Sequence, residues 1–569
     1  MVHIVVDPVT RIEGHLRVEA EVDGGVVTEA LSSSTMFRGI ELILRGRDPR
    51  DAWAFAQRIC GVCTTVHAIA SIRAVEKAIG AVPPPNARLL RNLIMSAQVV
   101  HDHVVHFYHL HALDWVDLVN ALTADPAKTS SLAQSISEWP LSSTSYFAGV
   151  RDRMKAFVER GQLGIFANAY WGHPAYRLPP EANLLAVSHY LEALDFQRRF
   201  IKIHAILGGK NPHPQSFLVG GMATPVDPDS QSALNMDTIA ALEKLVADGM
   251  DFVSRVYLPD VLAIASYYKD WTSIGTGIGN YMAYGDYPED DNENPALLLP
   301  TGVIHGRDLG KIDAVDHAKI TEQIAHSWYD YSGGDGQALN PFKGETTPHY
   351  TGPKPPYERL DVTQKYSWIK SPRYGDEPME VGPLARMLVA YSSGRPARVK
   401  QLVDKVLSTL GVGPDALYST LGRIAARAIE TQVLVESMGR WVRDLAENMA
   451  RRDFRVQDNS KWEPSSWPND CFGAGFLEAP RGALGHWVHI SNGSIANYQC
   501  VVPSTWNAGP RDATGRPGPY EAALVGTPVA NPAQPLEILR TLHSFDPCMA
   551  CGVHVVDATK RELARVKVA

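Results

Sequence analysis

Two Cys-x-x-Cys pairs stand at opposite ends of this chain: Cys60 and Cys63 in RICGVCTTVHAIAS, and Cys548 and Cys551 in HSFDPCMACGVH. A two-residue gap lets two sulfurs face one metal ion, but two thiolates rarely complete a coordination sphere. If the pairs share a centre, the N-terminal and C-terminal segments must meet in space. Any fold that keeps the two ends apart is then excluded.

Other uses of the pairs fit less well. A zinc ribbon spaces its pairs by about 15 to 20 residues, whereas these are separated by nearly the whole chain. A thioredoxin-like redox motif needs a βαβ setting, which neither pair has. Unrelated buried cysteines would leave the repeated spacing unexplained. The six cysteines, which also include Cys471 and Cys500, are too sparse for a disulfide framework. Four soft thiolates suit zinc, copper(I), nickel or iron–sulfur, and sulfur alone does not choose among them.

The composition permits such a meeting of ends. With 569 residues, 45% of them hydrophobic, the chain can bury a large core, and length alone suggests about three or four domains. Lys and Arg number 54 against 62 Asp and Glu, a formal charge of −8, and no basic arm or stripe is present. That excludes the electrostatic footprint of a nucleic-acid binder. No apolar run approaches the about 18 residues of a membrane span, and MVHIVVDPVTRIEG lacks the charged start and apolar middle of a signal peptide. The chain reads as soluble, and could still be exported if a partner chain carried the signal.

Hydrophobic periodicity predicts a mainly α (α+β) fold, a bundle of long helices with peripheral β-hairpins. Apolar residues at three- and four-residue spacing mark helical stretches at 51–80, 87–121, 181–207, 237–268 and 419–452. Alternation around Asp23-Gly24-Gly25 and around Asn492-Gly493 marks two hairpins, the second placing Cys500 in a strand. Two segments rich in Pro, Gly and Asn, YGDYPEDDNENP and NPFKGETTPHYTGPKPPYERL, read as surface loops. His101, His103, His106, His109 and His111 crowd HDHVVHFYHLH. Their scrambled spacing points to core and surface histidines rather than a metal-binding helix.

The segments DPVTRIEGHLRVE, TMFRGIELIL, RICGVCTTVHA, GGKNPHP, EAPRGALGHW, YQCVVPSTWN and FDPCMACGVH, in that order, span nearly the whole chain. Together they resemble the large subunit of nickel-iron hydrogenases, in particular the membrane-associated uptake class. The resemblance implies the hydrogenase large-subunit fold and heterolytic cleavage of dihydrogen, in which a proton leaves for a nearby base. It implies one interleaved catalytic domain over 1–554, and a C-terminal extension, 555–569, that a maturation protease removes after nickel insertion.

Carried over by position, Cys60 and Cys548 are terminal nickel ligands, while Cys63 and Cys551 bridge to an iron bearing carbon monoxide and two cyanides. Cys548 passes a proton to Glu13, with Arg481 as the rival acceptor, and Arg481, Asp102 and Asp546 form a charged canopy. Arg481 after Pro480, with Ser504, faces the cyanides, and His67 orients a bridging sulfur. Glu41, His554 and the carbonyl of Cys500 hold a magnesium or second iron near the C-terminus. Cys471 matches no ligand position and reads as structural.

The implied partners are an iron-sulfur small subunit, its nearest cluster facing His213, together with nickel-insertion proteins and a membrane cytochrome b. The implied location is the outer face of the cytoplasmic membrane through those partners, with the cytoplasm as the other possibility. Three other functions compete. A quinone-reductase subunit of the same ancestry would lack the cysteines that are present here. A dihydrogen sensor with little turnover would usually lack the tail, and a zinc-bearing scaffold would hold no nickel.

Overall fold

The computed structural model describes residues 1–161, 164–166, 169–292, 294–353 and 359–549. Helix covers 46% of it and strand 17%, so helix dominates as the periodicity predicts. The first hairpin forms where the sequence places it. Gly24 and Gly25 adopt left-handed φ values of 58° and 81°, the geometry that lets a two-residue turn match strand twist. They turn β2 (Leu16–Asp23) back as β3 (Val26–Ser34), and β1 (Val2–Val6) pairs antiparallel with the other edge of β2.

Five long helices build the interior: α1 (Val66–Ile79), α2 (Pro85–Val105), α3 (Pro180–Phe200), α4 (Met236–Phe252) and α5 (Thr420–Ala450). The Ser419 hydroxyl caps α5 by accepting from the Gly422 amide at 3.0 Å. This 31-residue helix lies against α2 in the largest core cluster. Because it is covered on nearly all sides, it carries charged residues into the interior, and Arg423, Arg427 and Glu430 are all buried.

A three-stranded antiparallel sheet closes one side: β4 (Asp470–Ala479), β5 (Gly482–Ser491) and β6 (Ser494–Val501). Asn492-Gly493 makes the β5–β6 turn and sets Cys500 in β6, as read from the sequence. β4 lies directly on α1. A Cβ on Gly473 would come within 2.1 Å of the Ala74 carbonyl oxygen, and one on Gly475 within 2.1 Å of that of Ala70. Glycine is thus required for the sheet to approach the helix that follows the first cysteine pair.

The structure departs from the periodicity in several places, three of which bear on the site. The stretch 51–80 is broken: Ala52–Ala56 is one short helix, Cys60 is extended (φ −130°, ψ 136°), and α1 begins only at Val66. The first cysteine pair therefore precedes a helix rather than opening one, because the amides of Val62 and Cys63 turn toward the Cys60 sulfur instead of continuing a helical ladder. The stretch 87–121 stops at Val105 and widens into a π-helical turn, His106–His111. The segment read as a loop at 284–295 contains a strand, Asp286–Pro288, paired with Leu297–Leu299. Asp286 is buried there, bonded to Arg73 at 2.9 Å and accepting from the Glu478 amide at 3.0 Å.

Segments from near both ends of the described chain meet. Residue 13 forms an isolated parallel bridge with residue 548, just after α6 (Leu536–His543). Among the described residues no helix is long and apolar enough to cross a membrane.

Candidate metal centre

The sulfurs of Cys60, Cys63 and Cys548 lie within 4.8 Å of one another, all buried. Cys60 Sγ and Cys548 Sγ are 3.3 Å apart, close to the about 3.8 Å separating two thiolates on one tetrahedral ion with bonds of about 2.3 Å. The Val62 and Cys63 amides donate to Cys60 Sγ at 3.3 and 3.2 Å, which favours its thiolate form. A buried set of soft donors this tight fits a thiophilic metal. Cys551 and His554 lie outside the described residues.

Glu13 reaches this cluster from the N-terminal segment. Its amide donates to the Pro547 carbonyl at 3.3 Å, and its own carbonyl accepts from the Met549 amide at 2.8 Å. That pairing sets the carboxylate oxygen Oε2 3.3 Å from Cys548 Sγ, in line to accept from the thiol. On the other side of Cys548, the Ser504 hydroxyl accepts from the Cys548 amide at 3.1 Å.

Arg481 stands over the cluster between the two predicted carboxylates. Nη1 donates to Asp102 at 3.2 Å, Nη2 to the Asp546 carboxylate at 3.0 Å, and Nε to the Asp546 carbonyl at 3.1 Å. Burial opposes the charge of Arg481, yet Asp546, the Cys548 sulfur and Asp102 together hold its pKa well above the ordinary value. Burial pushes the Asp546 carboxyl up in spite of Arg481. Gln98 fixes the other oxygen of Asp102 at 2.7 Å, and also donates to the Val62 carbonyl at 3.0 Å. One amide thus ties the canopy to the first cysteine pair.

His67 is the second residue of α1, 3.0 Å through Nδ1 from His486 Nε2, and His486 Nδ1 lies 2.7 Å from the Tyr498 hydroxyl. Burial lowers His67 to about 4, so its ring is neutral at pH 7. His213 Nε2 donates to the Cys60 carbonyl at 3.0 Å. Of the crowded histidines, His103, His106 and His111 are buried; His101 and His109 are partly buried. Each of the five contacts its own partner, and among the described residues they form no ligand cluster. Cys471, the second residue of β4, pairs with Ile490 and is buried.

Glu41 lies in a second group: Oε1 accepts from the Cys500 amide at 2.9 Å, and Oε2 from the Thr346 hydroxyl. Burial beside Glu41 pushes the Cys500 thiol well up, which keeps its sulfur protonated. Lys370 bridges Glu322 at 3.2 Å and Gln499 at 3.1 Å nearby. Burial raises Glu322 to about 6.

With this geometry in place, comparison with known proteins identifies the chain. The family model described as nickel-dependent hydrogenase matches residues 38–554, and one described as HoxL-like matches residues 3–33. The chain belongs to the nickel-iron hydrogenase large-subunit family. The uptake hydrogenase large subunit of Rhizobium leguminosarum bv. viciae is 53% identical, over 99% of this chain and 97% of its own. The hydrogenase-1 large chain of Escherichia coli K12 is 50% identical over the same shares. Among solved structures, the reduced Ni-Fe-Se hydrogenase of D. vulgaris Hildenborough superposes with a TM-score of 0.78 at 34% identity, covering 97% of this chain and 100% of that one. As a hydrogenase large subunit the chain is part of an oxidoreductase acting on dihydrogen, with nickel and iron as its metals.

Reading the hydrogenase from its sequence alone misses the charges beneath the canopy. Arg386 lies between Glu430 and Glu478, at 2.7 and 2.8 Å, and donates to the carbonyls of Ala479 and Pro480 at 2.8 and 3.2 Å. It thereby fixes the backbone that delivers Arg481. Although burial opposes it, Arg386 and His103 draw Glu430 down to about 2; burial holds Glu478 up near 7. Two carboxylates thus share one guanidinium. Gln98, Thr346, Glu322, Lys370 and Gln499 were also missed. One signal was available: Gln499 precedes Cys500 in a strand whose alternation points the two side chains to opposite faces.

Proposed function

We propose that the chain is the catalytic subunit of an uptake-type nickel-iron hydrogenase, in which Cys60, Cys63, Cys548 and Cys551 hold nickel. Cys63 and Cys551 would also hold an iron bearing carbon monoxide and two cyanides. The observation that carries this reading is the convergence of three buried sulfurs from both ends of the chain, with a carboxylate 3.3 Å from one of them. When bound, the metal pair supplies the Lewis acidity that polarises dihydrogen.

The remaining steps belong to the chain's own residues. Cys548 Sγ takes the proton and hands it to Glu13 Oε2. Backbone pairing to Pro547 and Met549 keeps that acceptor in reach. Arg481, fixed by Asp102 and Asp546, is a preorganised cation over the reacting face, and burial strengthens its field. Arg481, with Pro480 and Ser504, faces the cyanides, and His67 orients a bridging sulfur while His486 fixes its ring.

Glu41, the Cys500 carbonyl and His554 would hold magnesium or a second iron, with Glu322, Lys370 and Gln499 near Glu41 and Cys500. Residues 1–554 act as one interleaved domain, and 555–569 are removed on maturation. Electrons leave to an iron-sulfur small subunit on the His213 side. That subunit joins the enzyme to a membrane cytochrome b on the outer face of the cytoplasmic membrane.

The chain purified with its partner is expected to contain nickel and iron by elemental analysis. Its infrared spectrum should show one carbon monoxide and two cyanide stretches, both features in the same preparation. Zinc without nickel, or no such stretches from active protein, would overturn the assignment.

A further inference from the structure

The π-helical turn and the aspartate that follows it have no part in the reading above, yet they touch both strands of the proton-transfer site. Asp114 is buried, at the end of the segment that opens with His106–His111. Its Oδ1 accepts from Arg11 Nη2 at 2.5 Å, and its Oδ2 from His543 Nδ1 at 2.6 Å. Arg11 lies two residues before Glu13, in a left-handed conformation with φ 56°. His543 is the last residue of α6, five before Cys548.

Further bonds cross-link the same three segments. Arg11 Nη1 donates to the Leu110 carbonyl at 2.6 Å, within the π turn. The second ring nitrogen of His543 donates to the Thr10 carbonyl at 2.8 Å. Arg540, also on α6, donates through Nε to the Asp114 carbonyl at 2.7 Å.

The π turn aims its own side chains at the end of α6. His106 donates to the His543 carbonyl at 2.6 Å and His111 to the Arg540 carbonyl at 3.1 Å. Arg427 of α5 donates to the Ser544 carbonyl at 3.0 Å. The Arg540 and His543 carbonyls of α6, and the Ser544 carbonyl just past its end, thus receive side-chain donors, which helps fix where the helix ends and where Asp546 to Cys548 begin. An α-helical continuation of α2 would give a different pitch and turn these groups away. π turns are found repeatedly at functional sites for this kind of reason.

We propose that Asp114 is a positioning residue for proton transfer: through Arg11 and His543 it clamps the segment carrying Glu13 to the segment carrying Cys548, and so sets the sulfur-to-carboxylate distance. The proposal rests on the reading of Glu13 as proton acceptor. Arg11 and His543 outweigh burial and hold the Asp114 carboxyl well below the usual carboxylate range, so Asp114 itself stays ionised at neutral pH. A misplacement of about 1 Å can cost about 10²-fold in rate.

The test uses the metal-loaded complex with its partner subunit. Asp114→Asn and Arg11→Gln are each made in the wild-type and in the Glu13→Gln background, and nickel content, KM for dihydrogen and kcat are measured. In the wild-type background nickel content and KM should stay near their starting values while kcat falls about tenfold or more. In the Glu13→Gln background the same substitutions should change kcat by less than about twofold, because a positioning residue has no effect once the group it positions is gone.

Equal losses in both backgrounds, or nickel lost in proportion to activity, would overturn the clamp and leave Asp114 a structural strut. So would the failure of both single variants to assemble. If Glu13→Gln alone turns over at the wild-type rate, it is the acceptor role of Glu13 that falls, and the clamp falls with it. The two failures are therefore told apart by the single Glu13 variant.

Discussion

Glu13→Gln should lower kcat for dihydrogen oxidation by about 10²–10⁴-fold, the range a positioned general base contributes, with nickel content and KM for dihydrogen little changed. The amide keeps the size of the carboxylate and the backbone pairing to Pro547 and Met549, which uses only main-chain atoms. What it removes is the proton acceptor 3.3 Å from Cys548 Sγ. Steady-state kinetics beside elemental analysis on one preparation check this. A variant within about twofold of wild type would show that the proton leaves by another group.

Arg481→Lys should lower kcat by about 10²–10³-fold, the loss typical of removing one preorganised donor from a reacting site. The charge is conserved, but one ammonium cannot serve Asp102, the Asp546 carboxylate and the Asp546 carbonyl together, as the guanidinium does. The buried carboxylates lose bonds, so unfolding should also become easier. Arg481→Ala should go further and cost about 3–5 kcal/mol, because it leaves buried charges unpaired. Kinetics and denaturant titration of the two variants separate these effects. Equal rates for wild type and Arg481→Lys would reduce Arg481 to a point charge.

Much of this site was legible because its signals are local. The two cysteine pairs, Asn492-Gly493 and Asp23-Gly24-Gly25 each declare themselves within a few residues, and long helices repeat their apolar period many times. Charges are harder to read. Arg423, Arg427 and Glu430 carry no local mark of burial, but α5 is buried on almost every side, and inside the protein Arg423 pairs with Glu380, Glu430 with Arg386, and Arg427 donates to the Ser544 carbonyl. Asp114 and Arg11 give no signal at all, since their contact joins segments far apart in sequence.

The break before α1 was missed for a related reason. Ala, Ile and Val on either side of Cys60 and Cys63 keep the helical period going, whereas the amides between them serve a sulfur. A sequence pattern records which face a residue would present and carries no trace of which acceptor its amide has found.

The central claim is that both cysteine pairs serve one nickel-bearing centre, and X-ray absorption at the nickel edge of the purified complex tests it most directly. The nickel should be coordinated mainly by sulfur at about 2.3 Å, with iron as its nearest metal neighbour. That shell should lose sulfur both when Cys60 is changed to Ser and when Cys548 is. Nickel surrounded by nitrogen and oxygen, or a sulfur shell altered by only one of the two changes, would contradict the account.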